Sequence, residues 1–154
     1  MLPTREEALK LIRDGLLFNP GPWGKHCLTA AHCAEKIASA CGDMDVEKAY
    51  ILGLLHDIGR KFGVTDEEFT IIKTELAKTI YDEYDRLIQL CDCLAGAEGV
   101  LDIENRMNDV KKRYGFYPQD KWNSNMNLKQ YFEGKMNKDI YLICEKDTFA
   151  PGDL

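Results

Sequence analysis

An all-α fold is what this sequence predicts, on three observations. Apolar residues recur at helical spacing along most of the chain, at i, i+3, i+4 and i+7. Capping residues open most of the periodic segments, and glycine or proline closes them. No stretch of convincing length alternates as a strand would, and no repeat or low-complexity linker interrupts the pattern. The 154 residues suffice for one domain with a core of its own. The expectation is a single-domain bundle of about six to eight helices over residues 1–146, with 147–154 as a flexible C-terminal tail.

Thr4 and Glu7 form a capping box ahead of an apolar stripe of Ala8, Leu9, Leu11, Ile12 and Leu16. Asn19-Pro20-Gly21-Pro22 ends that helix, because neither proline can donate to a helical ladder. A second helix is expected from Gly24 to Cys41, stopped by Gly42. Asp45 caps a third, which should run to Gly59 and, being apolar on nearly every side, should be central. Thr65 and Glu68 open a fourth helix reaching Thr79. Asp82 or Asp85 caps a fifth through Leu94, with Gly96 and Gly99 as its stop. Val100 to Tyr114 reads as a sixth, and Pro118 suits the first turn of a seventh extending to Met136. Lys138 to Glu145 fits a short helix or a strand. Trp122, Tyr131, Phe132 and Tyr141 fall at helix-like spacings and are expected to pack against the bundle or a dimer partner.

The composition narrows the function. A net charge of −6 argues against a nucleic-acid polymer as partner, since phosphate-tracking surfaces concentrate lysine and arginine. It does not exclude a small anionic substrate, which responds to the local field of a pocket. No apolar run reaches the ~20 residues that span a bilayer, and the N-terminus reads as an amphipathic helix rather than a signal peptide. A cytoplasmic protein is the expectation. The six cysteines then read as free thiols, and Cys91 and Cys93, about 200° apart on a helix, are poorly placed to share a zinc ion.

Three histidines occur, and their faces differ. Ala30, Cys33, Ala34, Ile37 and Cys41 keep His26 on the core stripe of the second helix. His32 shares its face with Glu35, Lys36 and Ser39 and is expected on a solvated side. His56 and Asp57 close the apolar third helix, and a buried carboxylate needs a cation or strong donors to keep its charge. Asp92 interrupts another apolar run, Leu87 to Ala95, and shares a stripe with Ile88 and Cys91, so it should face inward. Two imidazoles and two carboxylates would suit Mn, Fe, Co, Ni or Zn better than Mg or Ca. The alternative is a buried polar network in which His56 bonds a backbone carbonyl and Asp57 caps a neighbouring helix.

The order His26, His56-Asp57, Asp92 resembles the H…HD…D signature of the HD-domain metal-dependent phosphohydrolases. Its context is similar too: Trp23 before His26, the stretch Ala34-Glu35-Lys36-Ile37-Ala38, the run Gly53 to Arg60, and Asp85 to Asp92. The similarity covers roughly Leu2 to Tyr114. The resemblance implies an HD-domain-like bundle in which His26, His56, Asp57 and Asp92 bind one divalent metal ion. It also implies hydrolysis of a phosphate ester of a small metabolite or nucleotide by a metal-activated water, with Asp57 or Asp92 orienting the nucleophile. Lys25, Arg60 and Lys61 flank the set and are candidates to neutralise the substrate phosphate; solvated helix-end cations are the alternative.

One departure stands out. Only thirty-four residues separate Asp57 from Asp92, and no histidine follows His56. Family members usually carry further helices and ligands in that interval, so a dinuclear centre is not expected. A metal- or ligand-binding sensor module with little or no turnover therefore stays beside the enzyme as an alternative.

Overall fold

The computed structural model describes residues 1–59, 81–144 and 154. Helix α1 (Arg5–Phe18) opens on the expected box: Thr4 N–H donates to the Glu7 carboxylate at 2.7 Å and Glu7 N–H to the Thr4 hydroxyl at 3.3 Å. Helix α2 (Trp23–Cys41) ends at Gly42, whose φ of 80° is the left-handed conformation that suits glycine. Asp45 caps α3 (Val46–Leu55) by accepting from Lys48 N–H at 2.9 Å. Asp82 and Asp85 satisfy each other's backbone N–H groups at the start of α4 (Glu83–Leu94). Then follow strands β1 (Ala95–Gly96) and β2 (Gly99–Val100), an antiparallel pair, and helices α5 (Ile103–Tyr114), α6 (Gln119–Met136) and α7 (Ile140–Ile143).

The described chain is all-α apart from that small hairpin. The expected helix from Thr65 to Thr79, with its cap, lies outside the described residues. So do Arg60, Lys61 and residues 145–153.

Four local expectations change. Helix α3 stops at Leu55 rather than Gly59, leaving His56 and Asp57 in a turn beyond it. The His56 Nδ1–H donates to the Gly53 carbonyl at 2.7 Å, the acceptor that another turn of helix would give to Asp57 N–H. Helix α5 starts at Ile103 rather than Val100, because Val100 belongs to the hairpin and Asp102 accepts from Asn105 N–H as the cap. Pro118 stands at the N-cap, one position before the first turn. The central helix is α2, not α3: it packs against α1, α3, α4, α6, α7 and the hairpin.

Helix α2 joins two apolar clusters. Ala8 and Ile12 of α1 with Leu28, Ala31, Ile51 and Leu54 make one. Ala34 and Ile37 with Leu87, Leu90, Leu94, Ile103, Phe132 and Ile140 make the other. The small residues of α2 allow its backbone to approach α3 closely at Gly53. A Cβ there would lie 2.9 Å from Ala31 Cα and 3.0 Å from the Ala30 carbonyl oxygen. This contact sets the end of α3 against the first half of α2, which carries His26. All six cysteines are free thiols. Burial pushes the Cys91 thiol up, and the Cys33 thiol is raised by its contact with Cys144 and by burial, so these act as neutral packing groups.

Candidate metal centre

Three elements deliver four side chains to one place. His26 comes from the first turns of α2, His56 and Asp57 from the turn after α3, and Asp92 from the last turn of α4. His26 Nε2 stands 3.2 Å from His56 Nε2. Asp92 Oδ1 is 3.0 Å from the first and 3.5 Å from the second. Asp57 Oδ2, buried, faces them at 3.8 and 3.7 Å, beyond hydrogen-bonding distance. Donor atoms of His26, His56 and Asp57 all lie within 4.8 Å of one another.

The opposite edges of the two rings set which nitrogens face the centre. His26 Nδ1–H donates to the Ala95 carbonyl at 3.0 Å, and His56 Nδ1–H to Gly53. A carbonyl oxygen can only accept, so each Nδ1 carries the hydrogen and each neutral ring presents a bare Nε2 lone pair to the centre. The two lone pairs then face each other, with a carboxylate oxygen of Asp92 and one of Asp57 turned towards both. Such an arrangement is repulsive until a cation enters it, either protons on the rings or a metal ion.

The donor set fits a metal. Donors held by one ion at about 2.0–2.2 Å lie about 3–3.6 Å apart, close to the separations here. Two imidazoles with two carboxylates match the first-row ions named from the sequence. Protonation answers the same need. Burial opposes the charge on His56, but Asp92, the Gly53 carbonyl and Asp57 outweigh it and raise its pKa. Burial would likewise raise Asp92, but its contacts with His26 and His56 hold it well below the usual carboxylate range. Proton and metal are thus alternative occupants of the same lone pairs.

Asp92 does point to the imidazoles, as expected of an inward residue, but its side chain is 49 % exposed. It forms the open side of the centre, while His56 at 10 % and His26 at 14 % form the closed side. Lys25 is exposed and lies 3.9 Å from Glu98, at the tip of the hairpin. His32 is half-buried rather than freely solvated. Its Nδ1–H donates to Glu35 at 2.9 Å, its ring packs edge-on against Tyr50, and it stands apart from the centre in a separate cluster.

One residue at the centre escaped sequence reasoning. Arg106 of α5 donates through one guanidinium nitrogen to the carbonyl of Asp92 at 2.7 Å and to the carbonyl of Ala95. Its other terminal nitrogen is 3.9 Å from Asp92 Oδ1. In sequence it is one cation among several in a polar helix, and only its place on α5 relative to the end of α4 singles it out.

Residues 12–80 match the family model of the HDOD domain, an HD-related output domain. The match takes in His26, His56 and Asp57, ends before Asp92 and covers less than half of the chain. No helix among the described residues is long and apolar enough to cross a membrane. Neither the curated proteins nor the solved structures provide a match. Over the matched segment the chain is similar to the HDOD domain, which is itself related to HD-type domains.

Proposed function

We propose that the chain is a mononuclear metal-dependent phosphohydrolase acting on a phosphate ester of a small metabolite or nucleotide. The observation that carries this reading is the grouping of the His26, His56 and Asp57 donors within 4.8 Å, with Asp92 against both imidazoles and both rings oriented by backbone carbonyls. His26, His56, Asp57 and Asp92 would hold one divalent ion of the Mn, Fe, Co, Ni or Zn group. When bound there, it supplies a Lewis acid that polarises a phosphoryl oxygen and acidifies a water. The chain's own residues do the rest. The two imidazoles fix the closed side, and Asp92 on the open side is placed to accept a proton from an incoming water. Asp57, deeper, holds negative charge against the cation.

A second reading is favoured by the similarity to the HDOD domain, an output-type family. In it the centre binds a metal or a phosphorylated ligand as a sensor without efficient turnover. One set of measurements separates the two. Metal content is measured after purification, and turnover of phosphomonoesters, phosphodiesters and nucleotides is assayed with added Mn, Co or Ni. The phosphohydrolase reading expects metal-dependent turnover that Asp57→Ala abolishes. Metal uptake without turnover of any of these classes leaves the sensor. Turnover that survives Asp57→Ala places the activity elsewhere.

A further inference from the structure

We infer that Arg106 is the positioning residue of this centre, acting through two backbone carbonyls rather than on substrate. The inference rests on the metal-centre reading above. At the end of α4 the chain leaves the helix at Ala95, which is extended at φ −83° and ψ 127°. The last carbonyls of a helix have no partners within it, so they need a donor from elsewhere. Leu94 O receives one from Leu101 N–H at 2.7 Å, across the hairpin. Asp92 O and Ala95 O receive theirs from a single guanidinium nitrogen of Arg106.

Those two carbonyls are the ones that matter to the donor set. Ala95 O is also the acceptor of His26 Nδ1–H, and so fixes which nitrogen of His26 faces the centre. Asp92 O belongs to the residue whose side chain closes the open side. One cation on α5 therefore holds both an orienting carbonyl of α2's histidine and the backbone of α4's carboxylate. A guanidinium is suited to this because one terminal nitrogen carries two hydrogens at fixed directions in a plane, whereas the hydrogens of an ammonium rotate freely. The second terminal nitrogen stands 3.9 Å from Asp92 Oδ1, beyond hydrogen-bonding distance, so it makes no close ion pair that would compete with a metal. Arg106 is largely covered, with 28 % of its side chain exposed, and its contacts aim it at backbone rather than at the opening.

Co(II) binding to the full chain tests this, followed by titration calorimetry and by the visible absorption of the bound ion. Arg106→Met should weaken Co(II) about 10- to 100-fold and change the absorption band, as removal of a group that orients a ligand does. Arg106→Lys should fall between it and wild type, since its ammonium can donate to the same carbonyls but without the fixed directions of the guanidinium. Circular dichroism and urea titration of the same samples establish that the variants are folded. If Arg106→Met does not fold, Arg106→Lys decides the matter by the same two readouts. A folded variant that binds Co(II) with wild-type affinity and band overturns the proposal, as does one that changes only the KM for a phosphate ester. If wild type takes up no Co(II), or binds it no better than His26→Ala, the metal-centre reading itself has failed.

Discussion

Two polar clusters lie along α2, each containing histidine and two carboxylates, and they are built on opposite principles. In the first, Arg5 donates to Glu35 at 2.9 Å and to Glu47 at 2.8 Å, stacks over the Tyr50 ring at 3.5 Å, and His32 joins through Glu35. Every carboxylate there meets a guanidinium at hydrogen-bonding distance, and the cluster ties α1 to α2 and α3. In the second, His26, His56, Asp57 and Asp92 turn their acceptor atoms towards one another. Its cation on α5, Arg106, reaches the backbone first and stands 3.9 Å off the nearer Asp92 oxygen. A cluster that carries its own counter-charge is a brace. One that gathers acceptors together has the form of a receptor for a cation, the role proposed for it.

Removing one histidine from each cluster gives the largest expected contrast. His26→Ala should weaken Co(II) or Zn(II) binding by more than ~100-fold, above the usual effect of losing a group that merely orients a ligand. His32→Ala should leave metal affinity within about twofold, while it loosens the brace. Titration calorimetry on the two variants checks both halves, and equal losses would break the distinction. Asp92→Asn sharpens it: losing the charge of the open side should weaken the metal, with His26 and His56 still in place.

The contact that brings the receptor together is apolar, and it is the next largest effect. Gly53 lies under Ala30 and Ala31, where a Cβ would approach backbone atoms at 2.9 and 3.0 Å. Helix backbone cannot yield as a side-chain tip can. Gly53→Ala should therefore destabilise the protein by about 1–3 kcal/mol in urea titration. It should also weaken metal binding in the protein that remains folded, because Gly53 O orients His56. A stable Gly53→Ala protein with unchanged metal affinity would show that the α2–α3 spacing does not set the centre.

The contrast was only partly legible in the sequence. His26 could be placed inward because five apolar residues share its stripe, and the structure finds it 14 % exposed beside His56. His32 was misplaced by the same reasoning, since Glu35 on its face reads as solvated until Arg5, thirty residues away, arrives to pair with it. Pairing across helices leaves no periodic trace. The end of α3 was set too late for a similar reason: the apolar pattern runs on through Ile58, but a side-chain hydrogen bond from His56 to Gly53 O claims the helical acceptor. Arg106 was invisible for want of any local signal, because its partners are carbonyls exposed by a hairpin that four residues of strand create. The caps are legible at Thr4 and Asp45, and at Asp82 as one of two candidates, because donor and acceptor there are three residues apart. Local chemistry could be read, whereas chemistry between elements needed the fold.

The brace itself should give the smallest effect, and its sign follows from Glu35. Burial would raise this carboxyl, but the hydrogen bonds and charges of His32 and Arg5 prevail and hold it below its ordinary 4.5. The folded protein therefore binds fewer protons at Glu35 than the unfolded chain, so stability rises with pH across that interval. The contribution is fully present above pH 4.5 and is lost as the pH falls through the lower folded value. Glu35→Gln should lower stability at neutral pH by about 1 kcal/mol, the scale of a partly exposed ion pair. As the pH falls below 4.5 the gap between variant and wild type should narrow, because wild type then loses what the variant never had. Urea titrations of both proteins from pH 7 down to about 3.5 check this, and a gap that widened in acid would mean that Glu35 does not draw its stability from Arg5 and His32. The same titration leaves the distinction between the clusters intact only if Co(II) affinity at pH 7 is unaltered in Glu35→Gln, as a brace that is separate from the receptor requires.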